Sequence, residues 1–145
     1  MIPRQLFFEN PERSNPQISP DGKHLAFLAP DRDNVTQIWL RGLREQAARQ
    51  LTHEKKRGVR HYTWTYDNEH LIYAQDTNGG ENWQIHAVNL HSGNIRNLTP
   101  YKGVQALVTA MDSLHPNTLL VAMNLPCGIV ATMTSTDCTL AAAKL

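Results

Sequence analysis

The side chains best suited to chemistry gather around one basic stretch. His53 and His61 bracket Lys55-Lys56-Arg57-Gly58-Val59-Arg60. Several cationic donors so close together suit an anionic group such as a peptide carboxylate or a phosphate. Arg57, Arg60 and His61 are the residues expected to touch such a ligand, and a solvated loop is the competing reading of the same run. The imidazoles open a second chemistry. His53 and His61 could ligate a divalent metal such as zinc or manganese, whose bound water would attack an ester or phosphoester. No His-x-x-x-His, Cys-x-x-Cys or His-Glu-x-x-His spacing calls for that metal, so the first reading expects no cofactor.

The remaining candidates read as structural. His24 and His70 stand at equivalent places in a repeat, which favours a structural role; His86, His91 and His115 are expected to be solvated. Asp21, Asp67 and Asp112 are turn residues without a paired carboxylate at a spacing that acid–base catalysis would need. Trp39, Trp64 and Trp83 bring large apolar area and are expected to pack between blades, with a carbohydrate platform as the alternative. Ser14, Ser19, Ser92, Ser113 and Ser135 all lie outside any Gly-x-Ser-x-Gly elbow. No catalytic residue is assigned.

These residues sit on a repeat. Pro16-Gln17-Ile18-Ser19-Pro20-Asp21-Gly22-Lys23-His24-Leu25-Ala26-Phe27 returns as Tyr62-Thr63-Trp64-Thr65-Tyr66-Asp67-Asn68-Glu69-His70-Leu71-Ile72-Tyr73. Gln37-Ile38 answers to Gln84-Ile85, and Arg49-Gln50-Leu51-Thr52 to Arg96-Asn97-Leu98-Thr99. The offset is about 47 residues, within the range of a propeller blade. In each copy Asp caps its own backbone, and Gly or Asn accepts a positive φ, so the chain reverses between antiparallel strands. Each copy holds four strand signals, the content of one blade. The blades are expected over residues 15–52, 60–99 and from 104 through 124 onward, the last a weaker third copy whose Asn117-Thr118-Leu119-Leu120-Val121 falls where Glu69-His70-Leu71-Ile72-Tyr73 would recur. A short lead-in covers residues 2–8.

Bulk properties narrow the partners. The chain has 145 residues and a formal net charge of +1. Such a balance gives no reason to expect a nucleic acid or an anionic membrane. No apolar run approaches the roughly 20 residues of a membrane span, and the start lacks a secretory core, so a cytoplasmic location is expected. Cys127 and Cys138 are read as free thiols of a reducing compartment. Residues 125–145 turn Ala- and Thr-rich and break the repeat. They are expected to be a tail unrelated to the blades, frame-shifted or vector-derived, with residues 129–134 available as a strand.

Residues 16–22, the link at 55–60 and Gly80-Glu81-Asn82-Trp83 resemble the amino-terminal propeller of prolyl-oligopeptidase-family serine peptidases, of the aminoacyl and dipeptidyl peptidase type with TolB-like blades. The resemblance covers residues 2–124. It implies a truncated substrate-filtering domain whose catalytic α/β-hydrolase partner lies elsewhere, so this chain alone is expected to lack serine-peptidase activity. The expected fold is all-β, a partial β-propeller of about three four-stranded antiparallel blades. So few blades would leave strand edges and an apolar face uncovered, which invites a second copy; homodimerisation would bring the ring to about six. A peptide or small molecule in the channel is the expected ligand. The function that follows is a scaffold or binding module, with the metal-dependent hydrolase as the alternative.

Overall fold

The structure, a computed structural model, describes residues 12–76, 80 and 82–124, together with the strand at 139–144. The described residues are all-β and contain no helix. They divide into two compact units, one ending at Arg60 and the other beginning at His61.

The first unit is one antiparallel sheet. Its strands are β1 (Ser14–Ile18), β2 (His24–Pro30), β3 (Thr36–Gly42) and β4 (Arg49–Gln50), hydrogen-bonded in that order. The Ser-Pro-Asp-Gly signal makes the β1–β2 turn: Gly22 takes φ 70° and its N–H donates to the Ser19 carbonyl at 2.9 Å. A side chain at that φ would be strained, which is why glycine stands there. Ala26, Phe27, Leu28 and Ala29 are all buried, so β2 is covered on both faces, as its unbroken apolar run requires. Ile38 and Leu40 of β3, with Leu51 beyond β4, complete the core.

The second unit holds two sheets. Strands β5 (Tyr62–Trp64), β6 (His70–Asp76), β7 (Trp83–Asn89) and β8 (Ile95–Asn97) repeat the first sheet's order. Asn68, at φ 59°, does at the β5–β6 turn what Gly22 does in the first copy. The other sheet runs β11 (Thr139–Lys144), β10 (Thr118–Met123), β9 (Ala106–Met111). The weaker third copy is therefore a sheet too, with three described strands where four were expected. Its β10 carries the segment that the repeat makes the counterpart of β6. One apolar cluster joins the two sheets: Ile72, Ile85 and Ala87 pack with Leu119, Val121 and Met123, and Val104 and Ala106 close it.

Several expectations fall outside the described residues: the lead-in at 2–8, both cysteines, and the strand at 129–134. Within the 125–145 tail the described strand is instead β11, antiparallel to β10 from Thr118↔Lys144 to Met123↔Thr139.

Candidate functional site

The basic link is anchored at its end. Val59 is buried, and its N–H donates to the Thr36 carbonyl at 2.8 Å. Gly58 lies so close to β3 that a Cβ there would meet the Thr36 nitrogen at 2.6 Å. The exposed Lys55, Lys56, Arg57 and Arg60 flank these two docked residues. The stretch is thus a surface loop with a pinned backbone. His53 is exposed in the first unit, its Nδ1 3.2 Å from the Gln50 amide nitrogen.

His61 opens the second unit and lies on the rim of a groove of about 200 Å³. Tyr62 and Thr63 of β5, Ile72 and Tyr73 of β6, and Leu107 of β9 line it. The walls are almost wholly apolar, and β5 and β9 are edge strands of their sheets. Such a groove suits one apolar side chain; it is smaller than the roughly 300–1,000 Å³ of sites that hold a whole small molecule. Among the described residues, no three His, Cys, Asp or Glu side chains come together as a metal site.

The recurring histidines sit in an Asp-x-x-His pattern that the sequence reading missed. Asp67 Oδ2 lies 2.7 Å from His70 Nδ1, and Asp112 Oδ2 lies 3.1 Å from His115 Nδ1. Asn89 accepts through its side-chain oxygen Oδ1 from His91 N, Ser92 N and Ser92 Oγ, at 3.0, 2.9 and 3.1 Å. Its amide nitrogen therefore faces His70 Nε2, at 3.2 Å. That assigns the proton of a neutral His70 to Nδ1, which donates to Asp67. Burial pushes the Asp67 carboxyl up, but the Thr65 hydroxyl, the Glu69 amide and His70 outweigh it, and the pKa ends below the ordinary value.

The first copy keeps the turn bonds and loses those of the histidine. Asp21 accepts from the Ser19 hydroxyl at 2.6 Å as Asp67 does from Thr65, but its other oxygen lies 3.3 Å from Lys23 Nζ, and Gly42 stands in the register position of Asn89. His24 Nδ1 is buried with no hydrogen-bond partner. The Ser19 hydroxyl first, then the Lys23 amide, lower the Asp21 pKa to about 2. All three Asp residues act in turns, as their spacing suggested.

One side chain departs from expectation. His86 is half-buried and stacks on Tyr73, ring centroids 5.4 Å apart. Trp39 donates its indole N–H to the Ala29 carbonyl at 3.1 Å.

Blades of this kind recur in known proteins. Dipeptidyl aminopeptidase BIII of Pseudoxanthomonas mexicana is 40% identical over 125 residues, covering 86% of this chain and 18% of that protein. The chain is homologous to a stretch of the dipeptidyl aminopeptidases. Dipeptidyl peptidase family member 6 of Caenorhabditis elegans is 28% identical over 130 residues, again 86% of this chain and 18% of that protein. The chain thus spans less than a fifth of the length of the curated relatives it matches. Among solved structures, the β-propeller domain of the Trilobed protease from Pyrococcus furiosus superposes with a TM-score of 0.61 at 18% identity, over 92% of this chain and 41% of that one. TolB from Acinetobacter baumannii gives 0.59 at 20% identity, over 89% and 29%. At those identities the likeness speaks for the fold alone. No protein-family model matches the chain. The peptidase-propeller resemblance is borne out, and the fold is a partial β-propeller with TolB-like blades. Among the described residues, no helix is long and apolar enough to cross a membrane.

Proposed function

We propose that this dipeptidyl-peptidase homologue is a propeller segment that serves as scaffold and peptide-binding module, with no acyl-transfer chemistry of its own. The observation that carries the reading is 40% identity over 125 residues to a stretch of a dipeptidyl aminopeptidase. Chemistry agrees with it, since none of the five serines lies on a nucleophile elbow. Within this reading the groove beside His61 receives an apolar side chain of a peptide, and the β5 and β9 edges lie beside it to align the peptide's backbone.

The test uses the whole chain. A fluorophosphonate probe should leave it unlabelled, and dipeptidyl p-nitroanilides should release no product above buffer. A labelled serine would overturn the scaffold role. A Leu-containing tripeptide should shift the backbone resonances of Tyr62 and Leu107, and resonances that do not move would overturn the peptide site.

The same proposal includes self-association. Ile18 on β1 and Leu107 on β9 are 58% and 68% exposed, and the first strand of each of the first two sheets is an edge strand. Exposed apolar residues on edge strands favour a second copy. Light scattering at increasing concentration should give a dimer, and a constant monomer mass would refute it.

A further inference from the structure

The loop between β2 and β3 frames an open cleft in the first unit. It has a volume of about 570 Å³ and is lined by Pro30, Asp31, Arg32, Asp33, Trp39 and Gln50. That size falls within the roughly 300–1,000 Å³ of small-molecule sites. Trp39 is half-buried, and its indole N–H is already spent on the Ala29 carbonyl at 3.1 Å. The ring is therefore held in one orientation and offers a ligand its apolar face.

The blade itself does not require tryptophan there. Trp39 pairs in register with Phe27 and Gln50; the same place in the second sheet, opposite Tyr73 and Asn97, belongs to His86. His86, half-buried as well, has one ring face taken by its stack on Tyr73. The first sheet thus puts a larger aromatic beside a cleft where the second puts a stacked imidazole.

The polar groups around the ring divide by task. Asp31 shapes the loop: its carboxylate accepts from Asp33 N at 3.0 Å, Val35 N at 2.9 Å and Gln37 Nε2 at 2.9 Å. The Val35 amide is the largest of the influences that hold its pKa below the ordinary range. Arg32 and Asp33 are exposed on the loop tip, a donor and an acceptor whose charges offset one another. Gln50 has committed its amide nitrogen to the Thr52 carbonyl at 2.6 Å, which turns its carbonyl oxygen into the available half. Asp31 keeps its charge behind three donors, so the two charges open to a ligand, on Arg32 and Asp33, offset one another and leave only a weak pull on an ion. Donors and acceptors beside a fixed aromatic plate match a ring with hydroxyls on its rim and C–H bonds on its face.

We propose that this cleft binds a neutral saccharide, one sugar ring stacked on Trp39 and its hydroxyls bonded to Arg32, Asp33 and Gln50. The site is independent of the groove beside His61.

The test is a titration of the whole chain with cellobiose and with maltose, followed through the tryptophan indole resonances. The Trp39 signal should move while those of Trp64 and Trp83 stay. Trp39→Ala and Asp33→Ala should each weaken binding about tenfold, the loss of roughly one good contact. Asp33 is on an exposed loop, so its variant reads binding even if Trp39→Ala fails to fold. An unmoved Trp39 signal with both sugars would overturn the assignment, as would equal affinity in the Asp33 variant. Tetramethylammonium that competes with the sugar would make the cleft a cation site and also sink it.

Discussion

Inside the first unit the Thr52 hydroxyl donates to the side-chain carbonyl of Gln37 at 2.9 Å and accepts the Ile38 N–H, also at 2.9 Å. Both residues are fully buried. Gln37 completes the clamp by donating to the Glu54 carbonyl at 2.7 Å and accepting the Glu54 N–H at 3.0 Å. The second copy keeps part of the device: Thr99 accepts the Ile85 N–H at 2.9 Å, and Gln84 donates to the Tyr101 carbonyl at 2.9 Å while its own side-chain carbonyl accepts from Asn97 Nδ2 at 2.6 Å. The clamp ties the third strand of a blade to the chain that leaves its fourth, where only a short ladder of β-bonds would otherwise hold it.

Thr52→Val keeps the shape and removes the hydroxyl, leaving the Ile38 N–H buried without a partner. The expected cost is about 1–3 kcal/mol. Urea unfolding should show it as a lower midpoint with an unchanged slope, and Thr52→Ser should recover most of the loss. A Val variant as stable as the parent would mean that the clamp contributes nothing.

The Asp67–His70–Asn89 chain makes a pH-dependent prediction. The folded pKa of Asp67 is lowered, so its stabilisation is complete above the unfolded carboxylate value of about 3.9 and fades as pH falls through the folded one. Asp67→Asn sets an amide donor against the N–H of His70 and should cost about 1–3 kcal/mol at neutral pH. The gap between parent and variant should be present at pH 5 and close in stronger acid. A gap of equal size at pH 2 would assign the effect to shape instead of charge.

Gly58→Ala tests the docked link. Its Cβ would arrive 2.6 Å from a backbone nitrogen of β3, where no side chain can give way. Overpacking of this kind typically costs about 1–3 kcal/mol. If the link lifts, trypsin should cut faster at Lys55, Lys56 and Arg57. An unchanged cleavage rate would show that the contact yields freely.

The strands and blade order were legible because each signal is local. Alternating and continuous apolar runs, Gly22 and Asn68 at the turns, and the offset between copies all lie in short windows. What escaped is what distance in the chain conceals. Gln37 and Thr52 stood out as repeated letters, yet nothing in their spacing says that they bond to each other. His24 and His70 look alike in the sequence, but only the register across the sheet shows that Gly42 replaces Asn89 and leaves one ring without its partner. The groove beside His61 was half visible: its β5 wall is local, whereas Leu107 comes from another sheet. The indole N–H of Trp39 was expected to need a partner, and only the β2–β3 register shows that the partner is the Ala29 carbonyl.

The last prediction concerns the joint between the two sheets of the second unit. Leu119 on β10 is 1% exposed and packs in one cluster with Ile72, Ile85 and Ala87 of the neighbouring sheet. Leu119→Ala removes buried area and leaves a cavity, with an expected cost of about 2–5 kcal/mol. Because the cluster is shared, the damage should not stop at the sheet that carries the mutation. Hydrogen exchange should speed up at amides of β6 and β7 as well as β9 and β10, by similar factors if the two sheets open together. Faster exchange confined to β9 and β10 would mean that the third sheet opens alone and that the second is stable without it.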